Sequence, residues 1–319
     1  MNAHPTQHIF HTSLISAAQL KRLTDSGQPV MVFDCSFDLM NPQAGEAMYL
    51  EAHIPGAVYA HLDTALSDKS SDKTSQPAGA ADFPATELPA SQLLANNRPA
   101  SGGRHPLPAR EKFAVWLGSV GFSNAMQAVV YDRQGANYCG RLWWMLKWAG
   151  HENVAVLDGG LQAWQAAAGV TSSGGEPGRP ASNFTLAPAI ASLVTSKQIA
   201  DNLGRPIQTV LDARGAPRFR GEVEPLDPVA GHIPGALNRP FTQNIGADGK
   251  FKPAAVLRTE FEALLAGRDP ATVVHHCGSG VSAVPNILSM EIAGLGRTAL
   301  YAGSWSEWCS DPSRPVAQG

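Results

Sequence analysis

Residues Thr272–Leu295 read TVVHHCGSGVSAVPNILSMEIAGL. A short β-branched run ends in two histidines, a turn with two glycines follows, and then apolar residues recur at helical spacing. The pattern is strand, turn, helix. In sheets built from such units, ligands bind where strands end and helices begin. Cys277 stands at that point. Gly278 and Gly280 allow a tight turn, so the N–H groups from Gly278 to Ser282 can converge as an anion-binding nest. The start of the helix adds partial positive charge. A thiol held there favours its reactive thiolate. The residues alone leave two readings open: a nucleophile, or a small buried residue at a strand end.

Working outward, the chain repeats itself. AHIPGA begins at Ala52 and GHIPGA at Gly231, 179 residues later. A β-rich run ending in Asp precedes each: VMVFD to Asp34 and TVLD to Asp212. Amphipathic segments follow, from Arg110 and from Val256, then the apolar strands QAVVY and TVVHH. Each strand leads into a second helix, and each half closes alike, VLDGGLQAW at Trp164 and LYAGSWSEW at Trp308. The closing tryptophans are 144 residues apart, so the first half carries a surplus of 35. That surplus falls in 64–104, rich in Ser, Ala, Pro and Asp, which reads as a long surface loop with a short helix near ELPASQLLANN. Alternating strands and helices predict α/β architecture, two tandem domains each with a mainly parallel sheet flanked by helices. The expected boundaries are 10–170, a polar linker over 171–190, and 191–319. Counting back 144 from Cys277 reaches Arg133, so only the second half would carry the thiol.

Composition limits the function. A net charge of −3 is too near neutral to indicate nucleic acid or an anionic membrane as partner. The 44% hydrophobic content supports a packed core, but no apolar run approaches a membrane span. The N-terminus shows no basic start followed by an apolar stretch. Four cysteines (35, 139, 277, 309) are widely spaced without CxxC, which argues against a disulfide framework or structural zinc and for a reducing cytoplasm. His275 and His276 point to opposite faces of a strand, so they and Cys277 cannot readily chelate one ion. No metal or cofactor site is expected.

The paired HIPGA motifs, the strand–Cys–glycine loop and the YAGSWSEW ending resemble the tandem-domain rhodanese family of sulfurtransferases, over nearly the whole chain. The resemblance implies two rhodanese domains with the nucleophile, Cys277, in the second. It implies a ping-pong reaction through a persulfide, from a small anionic donor to cyanide, a small thiol or reduced thioredoxin. The loop Cys277-Gly278-Ser279-Gly280-Val281-Ser282 is similar to the family's 3-mercaptopyruvate branch. Thiosulfate enzymes place basic residues just after the cysteine. By the same resemblance Arg218, in DARGAPRF, grips the donor carboxylate with its fork, and residues 278–282 line the donor site. Ser279, His105 of HPLP and Asp63 form a proton relay that protonates the anion left when sulfur departs, giving pyruvate. The chain departs from the branch in one place: its second arginine, nine residues after the first, is here Asp227, with Leu226 directly after Glu-Pro. Arg214 and Arg220 are the candidates to compensate.

His53 and His232 read as structural residues that hold the two HIPGA loops. Thiosulfate remains the alternative donor, and a sulfur carrier or regulatory module the non-enzyme alternative. A cysteine phosphatase on a similar fold would need an arginine six residues after the cysteine, where this chain has Ala283.

Overall fold

The computed structural model describes residues 8–69 and 98–319. The helix expected near residues 87–97 lies outside the described residues.

The first half runs β1 (Leu14–Ile15), α1 (Ala17–Asp25), β2 (Val30–Asp34), α2 (Ala44–Glu51), β3 (Val58–Tyr59), α3 (Arg110–Ser119), β4 (Gln127–Tyr131), α4 (Cys139–Trp148), β5 (Val154–Leu157) and α5 (Gly160–Ala166). The second runs β6 (Ser192–Leu193), α6 (Ser196–Asp201), β7 (Thr209–Asp212), α7 (Ala216–Phe219), β8 (Leu237–Asn238), α8 (Ala254–Leu265), β9 (Val273–His276), α9 (Val284–Ile292), β10 (Ala299–Leu300) and α10 (Ser304–Trp308). The sheet orders are β1-β5-β4-β2-β3 and β6-β10-β9-β7-β8, and every pairing is parallel. The architecture is the doubled α/β fold expected from the repeat.

Local chemistry repeats with it. α1 starts in a capping box of Ser16 and Gln19, and α6 in one of Thr195 and Gln198, each satisfying two orphan N–H groups. His53 Nδ1 bonds the Tyr49 carbonyl and stacks on that ring; His232 does the same with Phe219. Both histidines therefore anchor their loops.

The middle strands, β4 and β9, are buried along their whole length, as parallel strands covered on both faces must be. One apolar core runs through both halves: Trp143, Trp144 and Leu142 of α4 share it with Val284, Ile287 and Leu288 of α9. Residues 171–190 lie along the first half. Ser182 N–H bonds the Gly118 carbonyl, Phe184 stacks on Phe122, and Glu176 pairs with His53.

Candidate active site

Parallel pairing of β9 with β7 and β10 fixes the position of Cys277, the residue that follows the strand. Cys277 is buried. Its N–H donates to Ser304 Oγ (3.1 Å) and its carbonyl accepts from Trp305 N–H (3.0 Å), so the first turn of α10 holds it from behind. Ser304 adopts φ +55°, a conformation costing about 1–3 kcal/mol for a non-glycine residue, while its hydroxyl donates to the Tyr301 carbonyl. Gly280 turns at φ +74°, and a Cβ there would stand 2.1 Å from the Ala302 carbonyl oxygen. Only glycine fits. Among the described residues, the backbone N–H groups of Gly278 to Ala283 donate to no protein acceptor. Val281 packs into the shared core, and Ser282 is half-buried.

The first half shows what such a loop holds. β4 ends at Tyr131 opposite Asp34, and β9 ends at His276 opposite Asp212. Asp132, not Arg133, is thus the counterpart of Cys277. The carbonyl of Asp132 accepts from Leu161 as that of Cys277 accepts from Trp305. The count from the tryptophans misplaced the match because the second half is one residue shorter between this loop and its last helix. The Asp132 carboxylate accepts from the N–H groups of Gln134, Ala136, Tyr138 and Cys139 at 2.8–3.0 Å. Gly135, at φ +67°, matches Gly280. The first half fills its own nest with a carboxylate; the second places a thiol beneath the same arrangement. Arg133 turns away to Asp34 and to the carbonyls of Met48 and Ala52.

Ser279, His105 and Asp63 come together across the domain boundary. Ser279 Oγ lies 2.7 Å from His105 Nδ1, and His105 Nε2 lies 3.4 Å from Asp63 Oδ1. Lys69 holds the same carboxylate oxygen at 2.6 Å. Burial pushes His105 down to about 4, against the opposing pull of Asp63, with Lys69 and Arg141 adding to the depression. Burial alone would raise Asp63, but His105 and Lys69 outweigh it and hold the carboxyl at about 2. His105 is therefore neutral at physiological pH and Asp63 ionised. With Nε2–H turned to Asp63, Nδ1 is the acceptor of the Ser279 hydroxyl.

Arg218 reaches over the loop. A Cβ on Gly278 would meet Arg104 Nη2 at 3.0 Å and Arg218 Nη1 at 3.5 Å, so two guanidiniums cover the residue beside the thiol. Arg218 is held by Glu224 (2.6 Å) and Asp227 (3.3 Å), and Asp227 also takes Arg104 (2.5 Å). Neither candidate for compensation fits. Arg214 is buried and committed to Asp212, Glu224 and the Gly231 carbonyl, whereas Arg220 pairs with Glu222 at the surface.

The model of the rhodanese-like domain matches this chain twice, over residues 16–167 and 195–311. The chain belongs to the rhodanese family. It is 42% identical over 308 residues to a probable 3-mercaptopyruvate sulfurtransferase from Pseudomonas aeruginosa, covering 96% of this chain and 98% of that one. It is 37% identical over 310 residues to a putative thiosulfate sulfurtransferase, SseB, from Mycobacterium tuberculosis, covering 96% and 97%. The solved 3-mercaptopyruvate sulfurtransferase from Leishmania major superposes with a TM-score of 0.73 at 28% identity, covering 94% of this chain and 74% of that one. The relatives' names thus point to both donors.

Three contributors to this rhodanese site carried no sequence signal of their own. Ser304 sits inside the closing motif, where it passes for a helix cap. Arg104 is the last residue of a polar stretch. Arg141 looks like a surface residue of a helix, yet it is wholly buried. Its guanidinium donates to the carbonyls of Leu66, His105 and Gly280, at 2.9–3.2 Å, and so ties the histidine segment to the cysteine loop. Burial lowers Arg141 to about 10, which leaves it cationic at neutral pH. Among the described residues, no helix is long and apolar enough to cross a membrane.

Proposed function

We propose that this chain is a sulfurtransferase that takes the thiol sulfur of 3-mercaptopyruvate onto Cys277 as a persulfide. It then passes that sulfur to a thiophilic acceptor: cyanide, a small thiol or a thioredoxin-like protein. In the first half-reaction the Cys277 thiolate attacks the donor sulfur. An S–S bond forms, the C–S bond breaks, and its electron pair leaves as the enolate of pyruvate. The backbone N–H groups of Ser279, Val281 and Ala283, counterparts of those that bind the Asp132 carboxylate in the first half, receive the anionic sulfur, and Arg218 holds the donor carboxylate.

The proton account closes internally. A neutral His105 can accept a proton through Ser279 but has none to give at Nδ1. It takes the donor's S–H proton through the Ser279 hydroxyl, is stabilised as imidazolium by Asp63, and returns that proton to the enolate carbon. Pyruvate leaves, and Cys277 carries the sulfur. An acceptor thiolate then attacks the outer sulfur and releases the Cys277 thiolate. All four cysteines are free, which supports a reducing, cytoplasmic setting.

The observation that carries the choice of donor is the neutral Ser279–His105 pair beside Cys277. Thiosulfate brings no proton and leaves sulfite, which needs none, so it would give the relay nothing to do. The uncharged side chains of 278–282 also suit a monoanion better than a dianion. The test compares pyruvate release from mercaptopyruvate with thiocyanate release from thiosulfate, cyanide being the acceptor in both, for wild type and Cys277→Ser. Mercaptopyruvate turnover lost in Cys277→Ser is expected. A thiosulfate preference of about tenfold or more in kcat/KM, roughly 1.4 kcal/mol of transition-state binding, would overturn the donor. A persulfide that forms without turnover would favour a carrier.

A further inference from the structure

Asp63 serves two cationic partners through one oxygen. Lys69 Nζ lies 2.6 Å from Asp63 Oδ1, and His105 Nε2 lies 3.4 Å from the same atom. The lysine holds the nearer place, and the relay imidazole has the longer contact. A carboxylate given wholly to His105 would draw the ring toward its charged form. A lysine already on that oxygen takes part of the pull away and adds its own repulsion. The proton transfers proposed above run through Ser279, His105 and Asp63 and leave Lys69 unused.

The chain around Lys69 fixes its place. The N–H of Asp68 donates to the Pro106 carbonyl at 2.9 Å, and the buried Asp68 carboxylate pairs with Lys112 of α3 at 3.0 Å. Two residues earlier, the Leu66 carbonyl accepts from Arg141. Residues 66–68 thus run beside 105–106, and the lysine stem starts next to the histidine segment. Asp63 is fixed as well, its N–H donating to His61 Nδ1 at 3.0 Å. The Lys69 side chain is 41% exposed, so water screens its charge and its effect on the ring is smaller than that of a buried ion.

The charged and titratable groups around His105 come from several elements. Asp63 and Lys69 belong to the segment after β3, with His61 behind the carboxylate and the Asp68–Lys112 pair alongside. Arg141 of α4 donates to the His105 carbonyl, and the cysteine loop faces the ring with Ser279, two residues beyond Cys277. Arg104, the preceding residue, turns its guanidinium to Asp227. Burial is the main reason that His105 holds a proton weakly, and Lys69 and Arg141 add to it. Arg141 is engaged by backbone carbonyls, whereas Lys69 sits on the ring's own acid. We infer that Lys69 is a positioning residue of the relay: by sharing Asp63 it limits the hold of that carboxylate on the His105 imidazolium, so that the proton taken from the donor passes on to the enolate carbon.

This role rests on the relay proposed above. The test labels the histidine rings with carbon-13 and follows the His105 signal, assigned by its loss in His105→Gln, through an acid titration of wild type, Lys69→Met and Lys69→Arg. Circular dichroism confirms the fold at each pH, and the acid limb of sulfur loading is measured on the same proteins in single turnovers. Removing a positive neighbour favours the charged ring, so the midpoint moves up. Lys69→Met should raise the His105 midpoint by about one pH unit and carry the acid limb of loading upward with it, while KM for mercaptopyruvate is unchanged. Lys69→Arg keeps the cation and should hold both within about 0.3 unit of wild type. A His105 midpoint in folded Lys69→Met that stays within about 0.3 unit of wild type overturns the role of Lys69 and leaves the relay standing. A KM that rises while the limb stays in place makes Lys69 an attractor for the anionic donor and overturns it too. A midpoint that moves without the limb, or a wild type that releases no pyruvate, removes the relay itself and the role of Lys69 with it. Should Lys69→Met fail to fold, Lys69→Gln decides.

Discussion

Ser279 Oγ and His105 Nδ1 lie 2.7 Å apart, joined across the boundary between two domains that descend from one repeat. Each residue alone is useless to the proposed proton transfer, so their removal should not be additive. Ser279→Ala and His105→Gln are each expected to slow pyruvate formation by about 10²-fold or more, and the double variant should be little worse than either single one. Single-turnover rates with excess mercaptopyruvate measure this. Losses that multiply in the double variant would separate the two residues into independent roles.

The pH dependence follows from His105. The relay needs the neutral ring, and burial lowers this histidine to about 4. The acid limb of sulfur loading should therefore fall near pH 4, well below the 6.5 of an ordinary histidine. Loading is complete above that limb and lost below it. Asp63, held at about 2, stays ionised through the whole limb. His105→Gln should lose the limb along with most of the rate. A wild-type limb centred near 6.5 would show that His105 is solvated in the working enzyme.

The repeat was legible because both halves bury the same strands and close the same turns, and those needs leave matching residues at fixed offsets: HIPGA, the Asp at the end of β2 and β7, and Trp164 and Trp308. Cys277, Ser279, His105, Asp63 and Arg218 were singled out from motifs, and the structure brings all five to one place. Arg104 and Arg141 escaped because their placement depends on contacts between the halves, which no local spacing encodes. The tryptophan spacing is off by one residue because the stretch between β9 and α10 is one residue shorter than its counterpart between β4 and α5, while the sheet pairing is the same in both halves.

Cys277 should be the sole thiol that turnover requires. After treatment with mercaptopyruvate, intact-protein mass should gain one sulfur in wild type and in Cys309→Ala, and none in Cys277→Ser. Cys35 and Cys139 are buried with thiols raised well above the usual range, by burial first and by nearby Asp34 and Asp132 as well, so neither is a competing nucleophile. Sulfur appearing on a peptide other than that of Cys277 would contradict this.

Gly280 sets the shape of the nest. Gly280→Ala puts a methyl against the Ala302 carbonyl at a left-handed φ, and the loop must shift to accept it. A loss of about 1–3 kcal/mol in stability is expected, together with a fall in persulfide formation out of proportion to it, because the shift disturbs the loop N–H groups proposed to hold the sulfur. Denaturant midpoint and single-turnover loading measured on the same preparation separate the two effects. A variant that loads sulfur at the wild-type rate would show that the convergence of these groups is dispensable.

Arg141 joins the domains at the site itself. Its guanidinium is the buried partner of the Leu66, His105 and Gly280 carbonyls, and one of these belongs to the relay histidine and another to the cysteine loop. Arg141→Met keeps much of the side-chain volume but leaves three buried acceptors without a donor, at about 1–3 kcal/mol each. It also removes a buried cation close to Cys277. Stability should drop by several kcal/mol in total, and in conditions where the variant is folded the loading rate should still be reduced, since His105 and Ser279 are no longer held in register. Lys147 and Glu291 form a second tie between α4 and α9, at 2.7 Å, away from the thiol. Lys147→Met is the matched control, expected to lower stability with little effect on loading. If the two variants lose activity only in proportion to stability, Arg141 is a structural tie like Lys147. If Arg141→Met alone slows loading in the folded protein, the domain interface positions the chemistry.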